Sequence, residues 1–148
     1  MKIKLLKLNK NTENKINRHA KIYLKEITSK KNINLHFLNK FTEVLKSKTK
    51  FLWIHDNKEI VGFVSMYFNK KPINSCYIRD FYIKKKCRGK LLGTNVFKKI
   101  LNICKKKKIK RIKIDVLQSN KKIENFWLSI GFKKKIKSYY YKINNDRY

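Results

Sequence analysis

The stretch CRGKLLGTNVF, from Cys87 to Phe97, joins a run of lysines to an apolar repeat through two glycines. Its reading decides the fold. Leu92, Val96, Ile100 and Ile103 recur at helical spacing, so a helix opens inside it. The first turn of a helix leaves backbone N–H groups without intrahelical partners, and the helix dipole favours negative charge there. Glycine lets the backbone approach an anion with no Cβ in the way. Gly89 and Gly93 suit such an approach, and Arg88 with Lys84–Lys86 adds cationic reach. A strand entering such a turn makes a pyrophosphate site, although glycines in so lysine-rich a chain also read as a plain loop.

The flanking segments show what the turn connects. Met1–Asn9 alternates weakly and reads as an edge strand. Asn11–Ser29 and Asn32–Lys48 carry apolar residues at helical spacing and predict two amphipathic helices. KFLWIHD and IVGFVSMYF are apolar, aromatic and β-branched, and the turn-like Asp56–Glu59 between them predicts a hairpin. The lone proline, Pro72, marks the next turn, and Ser75–Lys84 is a third strand. After the glycine helix, with Lys105–Lys108 at its end, RIKIDVL reads as another strand. Ser119 and Asn120 are cap residues for a short helix stopped by Gly131, and Lys133–Ile143 adds a strand or strand pair. The order β-α-α-β-β-β-α-β-α-β-β predicts an α/β (α+β) chain, a mixed sheet of six to seven strands with helices on both faces. No repeat or linker interrupts residues 1–148, which read as a single domain.

Composition bounds the function. A 42% hydrophobic content with 13% aromatics supports a real core despite 33% charged residues. The net charge of +31 invites nucleic acid or an anionic membrane as partner. The charge is nearly all lysine, however, spread along the chain with abundant asparagine and isoleucine, three residues that share A/T-rich codons. Genome bias explains that pattern, whereas a selected nucleic-acid surface would concentrate arginine on one face. Nucleic acid is therefore not the expected partner. Cys76, Cys87 and Cys104 lack CxxC spacing, and His19, His36 and His55 are scattered as ordinary packing or surface residues, so no metal is expected. No apolar run reaches the roughly 20 residues needed to cross a bilayer, and no signal core follows Met1. A cytoplasmic protein is the expectation.

From about Phe51 to Ile143 the chain resembles the GNAT superfamily of acetyl-CoA-dependent N-acetyltransferases. The family's cofactor signature, Arg/Gln-x-x-Gly-x-Gly/Ala after a strand, is matched by DFYIKKKCRGKLLG at Phe81, Ile83, Arg88, Gly89 and Gly93. A second signature, Asn-x-x-Ala-x-x-Phe-Tyr-x-x-x-Gly-Phe, appears as NKKIENFWLSIGF, with Asn120, Phe126, Gly131 and Phe132 in place. The resemblance implies a GNAT-like acyl-CoA N-acyltransferase fold. It further implies that backbone amides from Gly89 through Lys90, Leu91, Leu92, Gly93 and Thr94 hold the coenzyme A pyrophosphate, beside Arg88. The strand backbone Phe81, Tyr82 and Ile83 would pair with the pantetheine arm, and Asn120 would contact it further on. The implied reaction moves an acetyl group from acetyl-CoA to a primary amine of a small molecule or protein, in a monomer or homodimer.

Three residues depart from the pattern. Leu91 replaces a glycine, Ile123 replaces a small residue, and Trp127 replaces a tyrosine that often protonates the departing thiolate. Indole N–H donates a hydrogen bond but is no proton source near neutral pH, so Trp127 either lines the coenzyme arm or packs in the core. Acceptor amines must lose a proton before attack, for which the candidate carboxylates are Asp80, on the strand before the turn, and Asp115, five residues before Asn120. Glu124 is a weaker candidate, and Tyr139–Tyr141 could supply an acid, although alternating strand faces divide them. Two other readings compete: a CoA-binding regulator without turnover, and a basic nucleic-acid-binding domain.

Overall fold

A computed structural model describes residues 3–28, 32–47, 49–116, 120–135 and 138–143. Seven strands hydrogen-bond in the order β1-β2-β3-β4-β5-β7-β6, a mixed sheet as the sequence predicts. They are β1 (Ile3–Lys7), β2 (Lys50–Asp56), β3 (Glu59–Asn69), β4 (Ser75–Ile83), β5 (Arg111–Ile114), β6 (Lys133–Lys135) and β7 (Ser138–Lys142). The helices are α1 (Lys10–Glu13), α2 (Ile16–Thr28), α3 (Leu35–Ser47), α4 (Leu92–Lys106) and α5 (Lys121–Ser129). Pairing is antiparallel for β1–β2, β5–β7 and β6–β7, and parallel for β4–β5. The chain forms two compact units, Met1–Ser65 with Asp80–Cys87, and Met66–Arg79 with Arg88–Tyr148.

The first unit places α2 and α3 on an aromatic core. Their apolar stripes bury Ile16, Ala20, Leu24, Leu38, Phe41 and Leu45 against Phe51, Trp53, Phe63 and Tyr82. Each large side chain so buried contributes about 1.5–3 kcal/mol, which outweighs any surface charge effect on these helices. Phe51 stacks on Phe63 at 5.3 Å, and Tyr23 meets Phe63 edge-on at 5.4 Å. His19 is a packing residue, its ring 5.1 Å from that of Trp53; burial lowers its pKa, against the hydrogen bond to the Lys15 carbonyl. One expected helix is two. Asn9 and Thr12 form a capping box that starts α1 on its own, and the segment before Ile16 has nothing apolar to bury. Tertiary packing holds α2, local capping holds α1.

The second unit buries one face of α4 through Leu92, Val96, Phe97, Ile100 and Cys104. Phe97 lies 5.5 Å from Tyr141 of β7 and 6.1 Å from Trp127 of α5. Helix α4 ends with Lys105 and Lys106 in its last turn, as expected, and Asn74 Nδ2 donates to the Lys108 carbonyl at 2.9 Å. Asn120 caps α5, its side chain accepting from the Ile123 N–H, while Ser119 lies outside the described residues. Gly131, at φ 104°, ends α5 as the sequence predicts. The segment Lys133–Ile143 resolves into the pair β6 and β7, and β5 stops at Ile114, shorter than expected.

Within the first unit β3 and β4 approach unusually closely at Gly62. A Cβ there would stand 2.0 Å from the Tyr82 carbonyl oxygen and 3.0 Å from the Ile83 Cα. Backbone cannot move aside as a flexible side chain can. We expect Gly62→Ala to destabilise the protein by at least about 2 kcal/mol in urea unfolding; wild-type stability in that variant would contradict the close approach.

Candidate functional site

From Arg88 on, the quoted turn belongs to the second unit, and it is built from left-handed backbone. Gly89, Lys90 and Leu91 follow one another at φ 89°, 48° and 60°. Leu91 is the N-cap of α4 and supplies no side-chain cap. The Leu92 N–H bonds the Gly89 carbonyl at 3.0 Å and the Asn95 N–H bonds the Leu91 carbonyl at 2.9 Å. The N–H groups of Gly93 and Thr94, by contrast, have no hydrogen-bond acceptor among the described residues. A Cβ on Gly89 would meet nothing within 4 Å, so the space beside it is open. Arg88 and Lys90 are exposed at the same turn. Unpaired amides, an open approach and adjacent cations suit a diphosphate.

Leu91 occupies the signature's middle glycine position, and its conformation is one that glycine adopts without cost. At 72% exposure its side chain stands in solvent, clear of the turn. The amides are therefore presented despite the substitution, at the cost of a strained residue.

The other residues implied by the resemblance fall into separate surroundings. In the first unit, Phe81, Tyr82 and Ile83 end β4, and the Lys84 N–H bonds the Val61 carbonyl at 2.8 Å. Asp80 precedes them, 6% exposed, with both carboxylate oxygens occupied. Its Oδ1 accepts from the Tyr23 hydroxyl at 2.9 Å and its Oδ2 from the Ser65 hydroxyl at 2.5 Å. That carboxylate joins α2, β3 and β4. In the second unit, the parallel register of β4 and β5 runs from Ser75↔Arg111 to Ile78↔Ile114. Asp115 follows β5, exposed, with Oδ2 accepting from the Tyr77 hydroxyl and Oδ1 without a partner among the described residues.

Trp127 is taken up by the core, and the alternative acids Glu124 and Tyr139 are taken up by each other. Trp127 is 4% exposed and packs edge-on against Phe126 at 5.0 Å and Phe132 at 5.0 Å. It is a core residue. Glu124, the weaker carboxylate candidate, accepts from Lys134 Nζ at 2.9 Å and from the Tyr139 hydroxyl at 2.6 Å. The Lys134 and Tyr139 donors hold its carboxyl below the usual range, and the same carboxylate pushes the Tyr139 phenol up. Tyr139 and Tyr140 lie on opposite faces of β7, the first buried and the second half-buried. Tyr77 is the functional candidate that sequence reading missed, since its partner lies 38 residues away.

We expect Leu91→Gly to be more stable by about 0.5–1 kcal/mol. It removes about 1–2 kcal/mol of left-handed strain against about 0.5–1 kcal/mol of added chain entropy. Urea unfolding checks this, and a variant no more stable than wild type would show that Leu91 carries no strain.

The sequence profile of the acetyltransferase (GNAT) family matches residues 16–132. No curated protein matches the chain in sequence. Among the solved structures that share its fold at low identity are three acetyltransferases. An acetyltransferase from Thermus thermophilus superposes with a TM-score of 0.78 at 14% identity, covering 97% of this chain and 98% of that one. The PaiA N-acetyltransferase from Thermoplasma acidophilum, solved in complex with coenzyme A, gives 0.74 at 17% identity, covering 97% and 100%. A GNAT-family acetyltransferase from Staphylococcus aureus gives 0.74 at 16% identity, again covering 97% and 100%. With the glycine turn, the mixed seven-stranded sheet and a profile match across most of its length, this chain belongs to the GNAT family of acetyltransferases.

Proposed function

We propose that the protein transfers an acetyl group from acetyl-CoA to a primary amine, on a small molecule or a protein, as one cytoplasmic domain spanning residues 1–148. The observation that carries this reading is the unpaired pair of amides at Gly93 and Thr94, opened by three left-handed residues in a chain of this family. Those amides, with Arg88 and Lys90, would hold the pyrophosphate. The coenzyme supplies an activated thioester carbonyl. By resemblance, Phe81, Tyr82 and Ile83 would carry the pantetheine arm and Asn120 would meet it further on. The coenzyme-bound PaiA structure supports that assignment at the level of fold.

Asp115 is the proposed base. An ammonium group cannot attack a carbonyl carbon, so the acceptor must surrender a proton as it binds or reacts. Asp115 is exposed, one oxygen without a partner among the described residues and the other fixed by Tyr77. Asp80 has none to offer, its two oxygens being committed to Tyr23 and Ser65. Its part is to hold the strand that precedes the turn. With Trp127 in the core, the departing thiolate takes its proton from solvent. That same burial favours a second reading, coenzyme binding without turnover, which acceptor screening separates.

Two measurements test the proposal. In Gly93→Asp a carboxylate should enter the amide turn, where it stabilises a helix start but repels a diphosphate. Calorimetric acetyl-CoA binding should vanish while the melting temperature holds; retained affinity would show that the cradle lies elsewhere. Thiol release across an amine panel then reads the chemistry. Asp115→Asn should lower turnover on the order of a hundredfold near neutral pH and much less at high pH, where the amine is already neutral. A loss equal at every pH would remove Asp115 from the base role.

A further inference from the structure

The second unit carries, on the face of its sheet away from α4 and α5, a row of alternating rings and cations, of which the proposed acetyl transfer uses only Tyr77, at one end, through its bond to Asp115. Register places Tyr77 beside Lys113, Lys113 beside Tyr140, and Tyr140 beside Lys133, on four neighbouring strands. The same residues are half-buried or exposed, while Ile112, Ile114 and Tyr139 between them turn into the core. Tyr67 extends the row, its ring 4.9 Å from that of Tyr77 at 31°. The Arg111 guanidinium lies 5.3 Å above the Tyr140 ring. A hollow of about 290 Å³ opens here between Arg111, Lys113, Lys134, Lys135, Ser138 and Tyr140. A second, of about 390 Å³, shares Arg111 and adds Lys110 and Lys142.

Genome bias accounts for lysines anywhere, but it does not account for rings and cations in register. Neighbouring strands lie about 4.8 Å apart, so the rings of Tyr77 and Tyr140 are spaced about 10 Å apart with a lysine between them. Phenol faces in such an array accept bases by stacking, and the intervening cations meet phosphates. Asp115, bonded by Tyr77, is the acid at this row. We infer that this sheet face binds single-stranded nucleic acid, with bases on Tyr140 and the Tyr67–Tyr77 pair and phosphates on Lys113, Lys133 and Arg111. Composition alone argued against such a partner; the cross-strand order is the new observation. The inference does not rest on acetyl transfer.

Fluorescence anisotropy with a labelled oligouridylate of about a dozen nucleotides tests it, in the absence of acetyl-CoA. Heparin fragments, polyglutamate and phosphatidylserine vesicles serve as anions without bases. The oligonucleotide should bind most tightly. Tyr140→Leu should weaken it roughly tenfold while leaving heparin affinity and the melting temperature unchanged. Lys113→Gln with Lys133→Gln, both at exposed positions, should flatten the salt dependence of oligonucleotide binding by about one unit of slope per lysine. Equal loss of heparin and oligonucleotide in Tyr140→Leu, an unchanged salt slope in the lysine variant, or tighter binding to vesicles or polyglutamate would each overturn the inference.

Discussion

The passage of the chain through three successive left-handed residues, Gly89, Lys90 and Leu91, is the constraint on which the proposed coenzyme site depends. Such a run cannot propagate into regular structure for L-residues, so it ends as soon as α4 begins. What it achieves is orientation: the first helical N–H groups emerge unpaired, beside a glycine with open space around it. An ordinary N-cap would satisfy those groups from a serine or aspartate side chain and close the site to anions. Leu91 cannot do so. The absence of a capping side chain, which weakens α4 locally, is the condition for the proposed anion binding there.

The buried Asp80 plays the opposite part. A carboxylate in a protein interior is costly unless hydrogen-bonded, and here two hydroxyls from distant elements meet it. It fixes α2 against β3 and β4 with the geometry of a hydrogen-bonded junction. Asp115, with the same functional group, is exposed and has one oxygen available. Surroundings rather than residue type separate the structural acid from the proposed base.

Much of this was legible in the sequence, and the gaps have physical causes. Strong apolar periodicity located α2, α3 and α4, and turn residues located the β2–β3 hairpin, because both signals are local. The split of α1 from α2 was missed because Asn9 and Thr12 compete for the backbone against a continuing helix. The two aspartates looked alike because their partners lie 57, 15 and 38 residues away. Leu91 was visible as a departure, but its positive φ was not, since a leucine gives no conformational hint of it. The ring-and-cation row needed the register of β7, which alternation alone left as one strand or two.

Gly131 carries one more lesson. A Cβ at that position would stand 3.0 Å from the Tyr141 ring, and its φ is one that side chains resist. Its companions in the second signature are likewise a helix cap, Asn120, and a packed ring, Phe132. That signature is thus a stereochemical imprint of how α5 turns back onto the sheet. The same turn would persist in a chain stripped of its reactive groups, so such a match reports the fold, whereas catalytic competence is written elsewhere along the chain.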